Sequence, residues 1–148
     1  MVGKGNTYEK MVKLAKTLHL SNVIFYPDMT ESNAFETLSL ANIFLGFLQK
    51  HPSVDRIVPN KVYQGLAMGK TVVSGDSPVM REVFTHKQDV YLCNLADGKS
   101  LAAAIQELYK NPKLATKIAH NGYNTYRKQF TPIIIGRNIL QALESVPS

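Results

Sequence analysis

Arg56 to Asp76 reads R-I-V-P-N-K-V-Y-Q-G-L-A-M-G-K-T-V-V-S-G-D. It divides into a proline-led turn (Val58, Pro59, Asn60), an apolar helix (Lys61 to Met68), a glycine stop (Gly69) and a β-branched run (Thr71, Val72, Val73) ending in Ser74-Gly75-Asp76. Asn60 suits an N-cap, Gly69 suits the left-handed position after a helix, and Thr71 to Val73 suits a parallel strand covered on both faces. The order is therefore helix, tight turn, buried strand, ligand loop. Lys61 falls in the first helical turn, where a cation opposes the macrodipole. Two readings stand open for it: a solvated lysine, or a helix N-terminus built for an anion, where free N–H groups and the lysine together cradle phosphate.

Working outward, the chain begins with Met1-Val2-Gly3-Lys4-Gly5-Asn6, a glycine turn of the kind that follows a strand, so a strand is expected upstream of it. A lone G-x-G fits a plain strand-to-helix turn as well as a phosphate loop. Thr7 to Leu18 carries apolar residues at helical spacing, with Lys10, Lys13 and Lys16 on its outer side. Val23 to Tyr26, closed by Pro27, predicts a buried strand. Thr30 suits the N-cap of a helix from Glu31 to about Leu40, and Ile43 to Leu45 predicts the next strand. Gln49 to Asp55 is polar and aperiodic, hence a loop; His51 within it reads as a solvated histidine before a binding or catalytic one.

Beyond the central stretch, Pro78 opens a helix to about Phe84, and Asp89 to Leu92 predicts a strand. Helices follow at Leu101 to Tyr109, Pro112 to about Phe130, and Pro132 to Leu143, which are expected to cover the sheet. Sustained alternation of strand and helix predicts an α/β fold with a parallel, doubly wound, Rossmann-like sheet.

A chain of 148 residues with 45% hydrophobic and 19% charged residues can bury one core of ordinary size. One cysteine, Cys93, excludes an internal disulfide framework and fits a reducing compartment, hence a cytoplasmic expectation. No apolar run approaches the ~20 residues of a membrane span. The net charge of +6 points to anionic partners, yet the basic residues are scattered singly, which argues against a nucleic-acid face. The sequence has no H-E-x-x-H, no C-x-x-C and no acidic cluster at metal spacing, so no metal site is expected; Ser74 to Ser77 lacks the G-x-S-x-G spacing of a nucleophile elbow.

The central stretch resembles the donor-binding half of glycosyltransferase family 4 (group 1), retaining sugar-nucleotide enzymes of the GT-B architecture, in members reading like P-N-K-V-Y-E-A-L-A-x-G-K-P-V-I. Val2 to Asn6, Asn22 to Pro27, Leu40 to Gly46, Ser77 to Val83 and Asn121 to Tyr123 extend the resemblance over nearly the whole chain. It implies that residues 1–148 form a single donor-binding domain, the C-terminal half of a GT-B enzyme, lacking its first strand or strands and an N-terminal acceptor domain. It further implies that the chain binds a nucleotide diphosphate sugar of the UDP or GDP type, without cofactor or metal. The full-length protein is then a glycosyltransferase at the cytoplasmic side of a membrane or free in the cytoplasm.

The expected donor site comprises Gly3, Gly5, Tyr26, Pro27, Arg56, Asn60, Lys61 and Gln64. Lys61 stabilises the leaving diphosphate, since a preorganised cation and helix N-terminus match charge that grows in the transition state. By resemblance, the Tyr26-Pro27 loop helps hold the base and Gln64 contacts the ribose. Gln64 stands where the family has its second glutamate, and Gln offers no charge-assisted hydrogen bond. Arg56 stands where many members carry the first glutamate, which contacts the donor sugar. Arg offers only donors and prefers carboxylate or phosphate, which leaves the donor sugar open; pairing with Asp55 or Asp76 is the equal alternative. The competing reading of the whole chain is a stand-alone α/β anion-binding or interaction module.

Overall fold

The computed structural model describes residues 4–27 and 31–145; the side chains of residues 31–34 are not among those described. The chain divides into two compact units, residues 1–40 and 41–148.

The first unit contains α1 (Tyr8–Thr17) and α2 (Glu31–Ser39). α1 buries Ala15, and Tyr8 meets Phe25 edge to face at 5.8 Å. His19 takes a left-handed backbone (φ 50) just beyond the helix, and Leu20 N–H bonds back to Ala15 O at 3.0 Å. The strand predicted at Val23 to Tyr26 does not form: apart from one bridge position at Tyr26 the run has no regular structure. The run is not covered on both faces as a buried parallel strand would be, since Ile24 is 62% exposed. Gly3 and the N-cap expected at Thr30 lie outside the described residues.

The second unit is built on three parallel strands, β1 (Ile43–Leu45), β2 (Thr71–Gly75) and β3 (Tyr91–Cys93), in the order β1-β2-β3. Phe44 pairs with Val72 and Ser74 with Leu92. Alternation then sorts the side chains onto two faces. Ile43, Thr71, Val73, Tyr91 and Cys93 face α5 (Gly98–Lys110) and α6 (Pro112–Gln129), packing with Ala104, Leu108 and Ile118, while Thr71 Oγ1 donates to Ala115 O at 3.0 Å. Phe44, Val72 and Ser74 face α3 (Asn60–Ala67). There Gly65 brings helix and sheet so close that a Cβ would lie 2.8 Å from Val72 Cγ2 and 3.0 Å from Phe44 Cβ. Every residue of β2 is buried, as a β-branched central strand requires.

α4 (Pro78–Val83) follows β2 and packs against a short 3-10 helix, Pro52–Asp55. That helix lies where the sequence predicts a plain loop. α7 (Pro132–Glu144) touches α6 and buries none of its residues, so α5 and α6 cover the sheet and α7 does not. Tyr63, Phe84 and Phe130 form an aromatic trio with centroids 5.0 to 6.4 Å apart, tying α3 to the ends of α4 and α6. Burial raises the Tyr63 phenol above its ordinary pKa.

Candidate functional site

The direction of α3 follows from its ends. Gly69 has φ 63, its N–H bonds to Leu66 O at 3.0 Å, and Lys70 N–H bonds to Gly65 O at 2.9 Å, a Schellman stop that delivers the chain directly into β2. α3 therefore runs antiparallel to the strands. Gly65 lies level with Phe44 and Val72, and Val62 level with Gly46 and Ser74. Asn60 and Lys61 stand one step further, at the edge where the strands end. Open parallel sheets bind ligands at that edge.

Pro59, not Asn60, is the N-cap: its backbone is extended (φ −63, ψ 141), its carbonyl accepts from Val62 N–H at 2.9 Å, and Asn60 is the first helical residue. Proline has no side-chain acceptor, so the cap leaves first-turn N–H groups of α3 for another partner. Lys61 and Gln64 are exposed and share one helical face, three residues apart. Among the described residues Lys61 makes no ion pair.

Arg56 ends the 3-10 helix, its N–H bonded to Ser53 O at 3.1 Å and its side chain exposed. It pairs with neither Asp55 nor Asp76. Asp76 is held instead by Arg81, from Nε to Oδ1 at 2.6 Å and from Nη2 to Oδ2 at 2.5 Å, and the carboxylate raises the guanidinium above its ordinary pKa. The sequence reading missed Arg81, because a pairing five residues apart across Ser77-Pro78 follows no helical spacing. Ser77 caps α4 at the end of the Ser74 to Ser77 turn; it is 3% exposed, and its Oγ has no hydrogen-bond partner among the described residues. His51 has a structural task, since its Nδ1 accepts from Ser53 N–H at 3.2 Å and so caps the 3-10 helix. A hollow of about 440 Å³ at this edge is lined by Lys50, His51, Pro52, Asp55 and Leu95.

Arg56, Asn60, Lys61 and Gln64 thus share one edge of the second unit. Gly5, Tyr26 and Pro27 belong to the first unit, with Gly5 and Tyr26 exposed. A Cβ on Gly5 would meet nothing within 4 Å, so packing does not demand a glycine there. No three of His, Cys, Asp and Glu cluster as metal ligands among the described residues.

The profile of the family described as "Glycosyl transferases group 1" matches residues 1–125. The chain belongs to that family. It is 26% identical over 131 residues to the lipopolysaccharide core biosynthesis glycosyltransferase LpsD of Rhizobium meliloti, covering 88% of this chain and 36% of that protein. The fold is that of Anabaena Alr3699/HepE, solved in complex with UDP and glucose, with a TM-score of 0.80 at 17% identity over 98% of this chain and 40% of that one. The C-terminal domain of the group 1 glycosyl transferase LpcC from Francisella tularensis matches with a TM-score of 0.68 at 17% identity, over 86% of this chain and 64% of that one. This group 1 chain accordingly spans about two fifths of the length of LpsD and HepE.

Proposed function

We propose that this chain is the donor-binding part of a retaining glycosyltransferase that takes its sugar from a nucleotide diphosphate sugar. The observation that carries the reading is the N-terminus of α3, with Lys61 in its first turn, at the C-terminal edge of a parallel sheet in a group 1 chain. HepE, which shares the fold, was solved with UDP and with UDP-glucose, which supports a nucleotide sugar as ligand. In the reaction, the bond from the sugar's anomeric carbon to the diphosphate oxygen breaks and the nucleoside diphosphate leaves with the electron pair. An acceptor hydroxyl bonds to that carbon and gives up its proton. Lys61 and the first-turn N–H groups are placed to take the charge that grows on the leaving diphosphate without a metal ion.

The acceptor side belongs to an N-terminal domain of the full-length protein, which works in the cytoplasm, free or against a membrane surface. Among the described residues no helix is long and apolar enough to cross a membrane. Positioning donor against acceptor needs both walls of the cleft, so the 148-residue chain by itself is expected to transfer no sugar.

Calorimetric titration of this chain with UDP, GDP, ADP, their nucleosides and inorganic pyrophosphate tests the reading. One nucleoside diphosphate should bind more tightly than both its nucleoside and pyrophosphate. Pyrophosphate binding as tightly as every nucleotide would favour a plain anion-binding module, and no binding of any nucleotide would overturn the donor reading.

A further inference from the structure

We infer that α6 is a membrane-contact helix, whose outer stripe of cations docks the protein on a lipid surface rich in anionic headgroups; this goes beyond the donor reading and does not depend on it. The net charge is not spread over the molecule. Residues 108–143 hold six Lys and Arg and no Asp or Glu, whereas the remainder of the chain holds eleven of each, so the whole +6 resides in this segment.

These cations stand singly in the sequence, and folding gathers most of them onto one face. Along α6, Lys113, Lys117, His120, Asn124 and Arg127 recur at spacings of four and three residues, with Lys128 beside Arg127, and all but Asn124 are exposed. That spacing makes a single helical stripe, about 22 Å long from Lys113 to Lys128. Ile118 and Gly122 are buried about half a turn round the helix, and Ala115 O accepts the Thr71 hydroxyl, so the stripe is turned away from the sheet. Among the described residues none of its lysines or its arginine makes an ion pair. The acids of neighbouring segments are engaged elsewhere: Glu107 by Lys87 and Tyr91, and Asp89 by Thr125.

A row of charge on a convex outer helix touches a plane along its whole length. Lysine dominates the row, and its compact ammonium meets a phosphate headgroup from any direction. Nucleic acid asks for arginine forks at base edges and free aromatic faces for stacking. The stripe has one arginine, and that one lies over the Tyr123 ring at 5.9 Å. Tyr109, 84% exposed where α5 turns into α6 and next to Lys110, adds an amphipathic ring of the kind that settles at headgroup level. α6 passes Thr71 at the start of β2 and Asp89 just ahead of β3, at the end of the sheet opposite the edge that carries Lys61. A lipid surface held there leaves the donor edge open.

Cosedimentation of this chain with vesicles tests the assignment, using phosphatidylcholine alone and phosphatidylcholine with about one third phosphatidylglycerol, at low and high salt. The chain should adsorb to the anionic vesicles at low salt, and high salt should release it. Lys117→Ala and Lys128→Ala should each weaken adsorption about fivefold, and the double variant about 25-fold. Lys99→Ala, at an exposed lysine off the stripe, should leave adsorption as it is, and none of these variants should alter nucleotide titrations. No adsorption to anionic vesicles at low salt, equal adsorption to neutral ones, or a loss after Lys99→Ala as large as after Lys117→Ala would overturn the inference. So would tighter binding to a DNA duplex than to anionic vesicles at equal phosphate, with the same dependence on Lys117, since the stripe would then serve a dissolved polyanion.

Discussion

Both carboxylate oxygens of Asp76 are held by the Arg81 guanidinium, so the acid that follows the central strand contributes little negative charge to the edge where Lys61 and Arg56 stand. The pair is solvent-facing, with side-chain exposures of 63% and 28%, and its effect is on local charge more than on stability. Arg81→Ala should free the Asp76 carboxylate and weaken nucleoside diphosphate binding about two- to fivefold at low salt, with the loss fading as salt is raised. Titrations at two ionic strengths check this. An unchanged affinity at low salt would mean that Asp76 does not face the ligand.

Two helical glycines differ in what surrounds them, and they predict where a single methyl group is harmful and where it is not. A Cβ on Gly122 would lie 2.5 Å from the Asp89 carbonyl oxygen and 2.6 Å from Leu66 Cδ2. Backbone cannot yield as a flexible side chain can, so Gly122→Ala should destabilise the fold by about 1–3 kcal/mol despite the better helix propensity of alanine. Gly136→Ala, in α7, meets nothing within 4 Å and should be neutral or slightly stabilising. Denaturant midpoints of the two variants decide the matter.

The central stretch was legible because its signals are local. Gly69 stops a helix through its own backbone angle, and the β-branched run after it forms a strand buried along its whole length. The parallel α/β architecture followed from alternation alone. Val23 to Tyr26 misled, because an apolar run closed by proline does not report how far a regular ladder extends, and here it shows one bridge position, at Tyr26. The 3-10 helix was hidden for a different reason: it is held by the His51 ring acting as a cap, which leaves no periodicity to read. Of the candidate site, Lys61 was singled out by its place in the first helical turn and Gln64 by the family resemblance. The commitment of Asp76 to Arg81 was not legible, because a pairing across Ser77-Pro78 follows no helical spacing.

Acid should loosen the outer edge of β3. His86 Nδ1 accepts from Leu92 N–H at 3.0 Å, which requires the neutral ring, and Glu107 takes Lys87 Nζ and Tyr91 OH at 2.6 Å each. Burial first, then Lys87 and Arg81, lower His86 from its ordinary 6.5, against the opposing pull of Asp76 and Glu107. The unfolded chain therefore takes up this proton first, and the stability contribution, complete above 6.5, is lost as pH falls below it. The Lys87 bond lowers Glu107 from 4.5, so its contribution is present above that value and lost as pH falls through the lowered one. Thermal midpoints between about pH 7.5 and about pH 2.5 should fall in two stages. His86→Phe should flatten the upper stage and Glu107→Gln the lower; a flat profile in the unaltered chain would refute both assignments.

Lys61 and Gln64 lie on one face of α3, yet their substitutions should separate by ligand. If Lys61 meets the diphosphate, Lys61→Ala removes a hydrogen bond to a charged group and should cost about 1.5–3 kcal/mol for the nucleoside diphosphate, with the free nucleoside almost unaffected. Gln64, one turn deeper along the helix, would meet the ribose, which both ligands share. Gln64→Ala should therefore weaken nucleoside and diphosphate by the same factor, about 0.5–1.5 kcal/mol for a neutral hydrogen bond. Restoring the carboxylate with Gln64→Glu should tighten both, because a ribose hydroxyl donating to an ionised acceptor makes the stronger bond. The two residues thus act as internal controls for each other. Equal small losses for every ligand after Lys61→Ala would leave the lysine a solvated first-turn residue, and the phosphate would then have to be held by another group at this edge.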